Sequence, residues 1–322
     1  MGIRHAAKRA NAPADDEVAA SPSGWEAVQF LDFERRVIDE AEAGLTAGMD
    51  SPDAIRLLRR IGLETWGRFL WELPKPVFPQ LSSVMPTMSP AEVQRAWTGC
   101  DGEQLLLQST PFVRYVMWAQ ATFGQQRGRD LAVLDFGCGY GRIARLMLKY
   151  VESDNLWGVD PWPESIDLAW QAGFRRDRFL QSEELPTSLP VPDSGFDLVY
   201  AFSVATHLSP TALTHALSAI KKCLNENGIL VVTLRPREFW NGDFHDTIPK
   251  ADRSEMLAEH DRQGVAFRPQ DRREVEDVGV TFGDISWEVE TFAGALPDWH
   301  VRDVERLAVD PYQVYVTLSP RS

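Results

Sequence analysis

The segment richest in chemistry is VLDFGCGYGR, in which Asp135 precedes Gly137, Gly139 and Gly141 in GxGxG spacing between an apolar run and a helical pattern. Glycines at such a turn let a ligand approach the backbone closely, because no side chain stands in the way. A dinucleotide fingerprint spaces its glycines as GxGxxG and delivers a pyrophosphate to the following helix. The spacing here differs, and a carboxylate at Asp135 repels a pyrophosphate while suiting an ammonium or sulfonium cation. A second acid, Asp160, ends the next apolar run, NLWGVD. Doubly wound folds bind ribose there, and a carboxylate accepts hydrogen bonds from both hydroxyls of a vicinal diol. Each acid also has a plainer reading: Asp135 as a cap of the turn, and Asp160 with Pro161 as a turn initiator. Tyr140 either touches the ligand or is an exposed turn aromatic, and Cys138 lines the turn as a small buried side chain without a reactive role.

Further candidates follow the later strands. AFSVATHLSP places Ser203 and His207 ahead of a helix start at Ser209-Pro210. A neutral imidazole near pH 7 takes the proton of an attacking hydroxyl as a general base; the other reading is that His207 packs at the sheet edge or bonds a loop carbonyl. Residues 235–286 form a polar and aromatic insertion containing Trp240, Phe244 and His245. These side chains suit stacking on, and hydrogen bonding to, a hydroxyl-bearing acceptor, or else they build the insertion's own small core. No Cys/His spacing suggests zinc, and no metal is expected.

The elements that must position these residues alternate. Strand-like runs at 131–136, 155–160, 178–181, 196–203 and 228–234 are separated by helical patterns at 142–151, 163–173 and 211–225. This alternation predicts an α/β fold with a parallel sheet wrapped on both faces. A helix near 286–295 precedes WHVRDVERL and YQVYVTL, which are expected to pair as an antiparallel hairpin. Residues 126–322 thus read as one domain, with the insertion covering the acceptor site. Ahead of it, 24–125 reads as a helical extension. Two amphipathic helices are expected between residues 25 and 73, the second starting at Ser51-Pro52. A connector with Pro74, Pro76, Pro79, Pro86 and Pro90 is expected to be extended, and helices follow at 91–98 and 111–123. Residues 1–23 lack the apolar core of a signal peptide and read as a disordered leader.

Composition narrows the partners. Of 322 residues, 44% are hydrophobic, enough for a sizeable core. Against 33 Lys and Arg stand 47 Asp and Glu, and a net charge of -14 disfavours nucleic acid and anionic membranes. No apolar run approaches the roughly 20 residues of a membrane span. The 3 cysteines are far apart and odd in number, which points to a reducing cytoplasm. The tryptophan-bearing helices of the extension offer more apolar surface than one face covers, which points to a homodimer.

Together VLDFGCGYGR, WGVD and LPVPDSGFDLVYAFSV resemble the class I S-adenosylmethionine-dependent methyltransferases, over roughly residues 110–318. The resemblance implies a Rossmann-like, mostly parallel seven-stranded sheet, with S-adenosylmethionine as cofactor. It sets Asp135 near the methionyl ammonium and Gly137, Gly139 and Gly141 along the methionine part, with Cys138 and Tyr140 of the same turn as further cofactor-binding candidates. Asp160 falls at the ribose, Gln181 and Ser182 near the adenine, and Pro161 and, after the fourth strand, Ser203 are further cofactor contacts. The implied reaction is methylation of a hydroxyl on a small molecule or glycan, with His207 as base. N-methylation of an amine or protein side chain, and cofactor binding without catalysis, share the same motifs. SVATHL stands where exocyclic-amine methylation sites often carry Asn-Pro, which turns the expectation away from nucleobases. GVAFRP, FGDISWEVE and DPYQVYVTL look like a bacterial subgroup acting on small molecules or glycans.

Overall fold

The computed structural model describes residues 30–124, 128–241, 248–270, 274–275, 279–308 and 310–321. The expected leader, 1–23, lies outside the described residues. The main sheet contains β1 (Val133–Phe136), β2 (Leu156–Asp160), β3 (Phe179–Gln181), β4 (Phe196–Ala201), β5 (Leu224–Leu234), β10 (Trp299–Arg306) and β11 (Val314–Pro320). Their spatial order is β3-β2-β1-β4-β5-β11-β10. The first five strands pair in parallel, whereas β11 runs antiparallel to both β5 and β10. The expected seven-stranded sheet and its C-terminal hairpin are both present. Strand order reverses between β1 and β4, and in open α/β sheets ligands bind in the crevice at the carboxyl ends beside such a reversal.

Both faces of the sheet are covered, which is why every residue of β1 and β4 is buried. On one face, α3 (Leu63–Trp71), α6 (Gly102–Phe123) and α7 (Ala144–Met147) bring Trp66, Phe112, Val116 and Leu146 into one cluster with Val133, Tyr200, Val231 and Tyr315. The N-terminal helices therefore share the apolar core of the sheet. On the other face, Leu213, Leu217 and Ile220 of α9 (Pro210–Cys223) pack with Leu134, Val199 and Leu230. Ser209 caps α9 by accepting from the Ala212 N–H at 3.3 Å, with Pro210 in the first turn.

Several boundaries differ from expectation. Three helices, α1 (Asp32–Thr46), α2 (Ser51–Leu58) and α3, stand where two were expected, because the chain turns at Arg59–Gly62. Asp50, one residue before the expected cap, accepts from the Asp53 N–H at 2.8 Å. The proline-rich connector holds a short helix, α4 (Pro79–Val84); proline in a first turn removes an N–H that has no intrahelical acceptor anyway. After α5 (Ala91–Thr98), α6 begins at Gly102 and runs through Pro111, held by the burial of Leu105, Leu106, Phe112 and Val113 on one side. The helix after the glycine turn contracts to α7, and α8 (Pro163–Gln171) follows β2.

The insertion is built around α10 (Lys250–Gln263) and β6 (Val265–Pro269) paired antiparallel with β9 (Gly283–Trp287), beside a small β7 (Glu274–Val275) and β8 (Gly279–Val280) pair. Ser286 and Trp287 belong to β9, so the last helix, α11 (Val289–Gly294), starts later than expected. Among the described residues no helix is long and apolar enough to cross a membrane.

Candidate active site

At the carboxyl end of β1, the glycine turn is tied to the neighbouring strand: Gly137 and Cys138 N–H groups both donate to the Val159 carbonyl, at 2.8 and 3.0 Å. The three glycines all have positive φ, at 76°, 53° and 78°, but they serve different ends. A Cβ at Gly137 would collide with Val204, and one at Gly141 with Phe174, whereas one at Gly139 would meet nothing within 4 Å. Gly137 and Gly141 allow close packing, and Gly139 presents bare backbone to open space.

Asp160 organises this turn. Its Oδ2 accepts from the Gly139 N–H and its Oδ1 from the Trp162 N–H, each at 3.0 Å. Its carboxylate thus ties the glycine turn to the start of the loop after β2. Asp135 lies deeper, 2% exposed, and its Oδ2 has no hydrogen-bond partner. Burial is the main cause that pushes its pKa up to about 8; the Asp160 charge adds to the rise, and the Tyr200 hydroxyl and Arg142 oppose it. A buried carboxyl oxygen left without a partner at the switch point has unmet capacity for a cationic ligand. The donor set fits S-adenosylmethionine: an acid for its ammonium, an open glycine for its chain and a second acid for its diol.

Beyond Asp160, the Pro161 carbonyl accepts from Gln181 Nε2 at 3.2 Å, and the Ser182 N–H donates to the Asp160 carbonyl at 3.0 Å. Gln181 and Ser182, with Glu183 and Leu189, line a cleft of about 460 Å³. Cys138 is buried, which holds its thiol well above the ordinary range. Tyr140 is no exposed turn aromatic: it is 2% exposed and meets Trp97 of α5 edge-on, with ring centroids 6.3 Å apart. From Trp97 an aromatic series continues to Trp162 at 5.4 Å, to Phe282 at 5.7 Å and to the His207 ring at 5.2 Å.

After β4, Ser203 adopts φ 60°, an uncommon left-handed conformation for a residue with a side chain. Its N–H donates to Thr233 Oγ1 at 2.8 Å, and its hydroxyl accepts from Gln313 Nε2 at 3.3 Å. His207 does not sit as a free base. Its Nδ1 donates to the Gly283 carbonyl at 2.9 Å, which leaves Nε2 as the acceptor of an Arg235 N–H at 3.0 Å. Arg235 also donates to Asp284 at 2.5 Å. Burial, reinforced by the Arg235 charge, holds the imidazole pKa down to about 3. The lone pair needed for proton removal is occupied, so the general-base expectation gives way to a structural role.

The acceptor contacts expected in the insertion are also revised. Trp240 is 0% exposed, donates through Nε1 to Ser286 Oγ at 2.7 Å and packs with Phe239, Ile248 and Met256. It belongs to the insertion's core and cannot reach an acceptor. Phe244 and His245 lie outside the described residues. Instead the insertion contributes Phe282, Asp284 and the Gly283 carbonyl, against the loops after β2 and β4. Sequence reasoning missed Trp97, Arg142, Trp162, Arg235 and Phe282. Arg142 and Arg235 had a usable signal, since each directly follows a strand-end or glycine motif at the carboxyl edge. Trp97 had none.

Residues 134–232 match the family model described as a methyltransferase domain. An uncharacterized methyltransferase of Schizosaccharomyces pombe is 31% identical over 146 residues, covering 38% of this chain and 52% of its own length. The chain therefore spans about half the length of the curated relative it matches. Among solved structures, an S-adenosylmethionine-dependent methyltransferase from Clostridium acetobutylicum is 12% identical with a TM-score of 0.46, covering 72% of this chain and 98% of that one. A magnesium protoporphyrin IX methyltransferase from Synechocystis with bound SAH is 13% identical with a TM-score of 0.44, covering 72% and 94%.

Proposed function

We propose, from the premise that the chain carries a class I S-adenosylmethionine-dependent methyltransferase domain, that it methylates an oxygen of a small molecule or glycan. The observation that carries the cofactor half of this reading is the unpartnered, buried Oδ2 of Asp135 at the switch point, beside the open face of Gly139. Asp135 receives the methionyl ammonium, Gly139 borders the methionine chain, and Asp160 accepts from the ribose hydroxyls. Pro161, Gln181 and Ser182 border the adenine, while Cys138 and Tyr140 back the turn. When bound, S-adenosylmethionine supplies an electrophilic methyl group on a sulfonium. Ser203, at the end of β4, lies where the acceptor meets that methyl.

With His207 engaged by Arg235, alignment of the acceptor is the main source of rate. Holding two reactants in attack geometry is worth up to about 7 to 11 kcal/mol of barrier. The His207, Arg235 and Asp284 network, with Phe282 stacked on the imidazole, fixes the acceptor wall. A cytoplasmic location suits three unpaired, buried cysteines, and exposed Leu107 and Trp118 on α6 supply an apolar face for a second copy of the chain.

The test is release of S-adenosylhomocysteine on incubation with S-adenosylmethionine and a panel of sugars, phenols, carboxylic acids and amines. Turnover on hydroxyl or carboxyl compounds is the expected outcome. Turnover confined to amines overturns the oxygen assignment, and tight cofactor binding with no turnover on any class favours a regulatory role.

A further inference from the structure

Helix α6 differs in composition from the chain around it. In a protein with 33 Lys and Arg and 47 Asp and Glu, its 22 residues include just two charged ones, Glu103 and Arg114. One side of the helix is accounted for, because Leu106, Phe112, Val113 and Val116 pack into the core beneath the sheet. The other side carries an outward stripe of Gln104, Leu107, Pro111, Arg114, Trp118 and Ala121, with Leu107 52% and Trp118 47% exposed. These positions recur alternately three and four residues apart, which is the a/d repeat of a coiled-coil seam. A helix that already buries one side in its own domain gains nothing from such a stripe unless another helix covers it.

The stripe is complementary to itself. In an antiparallel pair, an a position of one helix packs against a d position of the other. With a two-fold axis passing between positions 112 and 113, Gln104 faces Ala121 of a second copy, Leu107 faces Trp118, and Pro111 faces Arg114. The two large apolar side chains thus meet each other, and the single charge of the stripe meets proline. Each Arg114 is held by its own Glu64, through Nε at 3.0 Å and through Nη2, so like charges are neutralised beside the axis. Pro111 has no N–H to give, which leaves the Leu107 carbonyl on the same stripe without its helical donor. The second copy's Arg114 faces that proline and brings its remaining guanidinium N–H groups to this carbonyl. On one flank Tyr115, Trp118, Glu305 and Leu307 line a groove of about 320 Å³, open to the side of the incoming helix.

We propose that two copies of this chain pair through α6 as an antiparallel two-helix seam, Trp118 of each copy packing on Leu107 of the other. The inference rests on the reading of α6 as the face for a second copy, and adds its register and its anchors. The inner side of the same helix carries Phe112, whose ring meets Phe202 after β4 at 4.5 Å and Tyr315 of β11 at 5.4 Å. Pairing therefore braces the helix that backs the acceptor edge of the sheet.

The test is sedimentation of the full chain across a dilution series, with far-UV circular dichroism as a check on folding. Wild type should sediment as a dimer, and Leu107→Glu and Trp118→Glu should each raise its dissociation constant at least about tenfold, as loss of a buried apolar anchor does. Register is read by cross-linking, which also serves if either Glu variant fails to fold. Positions 107 and 118 lie about 16 Å apart along one helix, beyond the roughly 7 Å between Cα atoms that a disulfide spans. A chain carrying both Leu107→Cys and Trp118→Cys should therefore oxidise to a covalent dimer, while wild type and each single variant should not. Covalent dimers from the single variants would mean a parallel pair and overturn the register. A wild-type dimer that neither Glu variant weakens and the double variant does not trap would overturn the seam while leaving the second copy to another surface. A wild type that sediments as a monomer would overturn both the seam and the second-copy reading.

Discussion

If Asp135 receives the methionyl ammonium as proposed, its burial should make cofactor binding a proton-linked event. With its pKa pushed up to about 8 by burial, the group is about 0.9 protonated at pH 7, since the pH lies about one unit below the pKa. An ammonium placed against it favours the charged form and lowers that pKa, so Asp135 gives up its proton as the ligand arrives. Calorimetry of S-adenosylhomocysteine binding in buffers of different ionisation enthalpy should therefore report release of about 0.9 proton at pH 7. Affinity should rise close to tenfold per pH unit between about 6 and 7.5 and level off above about 8. Two controls isolate the cause: 5′-methylthioadenosine, which has no ammonium, and Asp135→Asn should each bind without proton release. Stability provides an independent reading. A carboxyl whose folded pKa exceeds its unfolded value of about 3.9 binds more protons in the native state, so the unliganded protein loses stability as pH rises from about 4 to about 8. Asp135→Asn should remove that contribution, and its melting temperature relative to wild type should climb across the same window. No proton release by wild type at pH 7 would refute both the neutral state of Asp135 and its pairing with the ammonium.

Two other perturbations test the division of labour around the turn. His207→Phe, which keeps the stacking on Phe282, should leave S-adenosylhomocysteine affinity within about threefold of wild type, and single-turnover transfer by wild type should show no inflection near the ordinary histidine pKa of about 6.5; an inflection there that the variant abolishes would restore His207 as a base. Gly139→Ala should cost only about 1 to 2 kcal/mol of stability, from its left-handed conformation, yet weaken S-adenosylhomocysteine at least tenfold, while Gly137→Ala should destabilise more, because its Cβ meets Val204. Denaturant unfolding alongside calorimetry distinguishes the two, and equal stability losses would mean that the open space at Gly139 is not a ligand surface.

What the sequence disclosed is what short-range physics determines. The run into Asp135, the glycines behind it and the strand ending at Asp160 are fixed by local periodicity and by ligand-approach constraints that act over a few residues, so strands, turn and acids were all legible. Element ends were less so wherever tertiary burial outweighed a local signal. Pro111 reads as a helix start but sits inside α6, where buried Phe112 and Val113 hold the chain in register. Ser286 and Trp287 read as helix but pair with β6, because both are buried there.

The acceptor side was illegible for a different reason. A histidine at the carboxyl end of a strand is near the chemistry whatever its partners, and sequence position reports that proximity alone. Whether His207 can take a proton depends on whether its lone pair is free. That is decided by Arg235, 28 residues on, and by the Gly283 carbonyl, 76 residues on. The same reasoning separates two arginines of identical type at the same edge of the sheet. Arg235 has met Asp284 and is spent on holding the wall in place. Arg142 lies over the face of Phe202, a contact worth about 0.5 to 2 kcal/mol, within the fields of Asp135 and Asp310. What this edge can bind depends on which polar atoms the fold leaves without partners, and the buried Oδ2 of Asp135 is one of them.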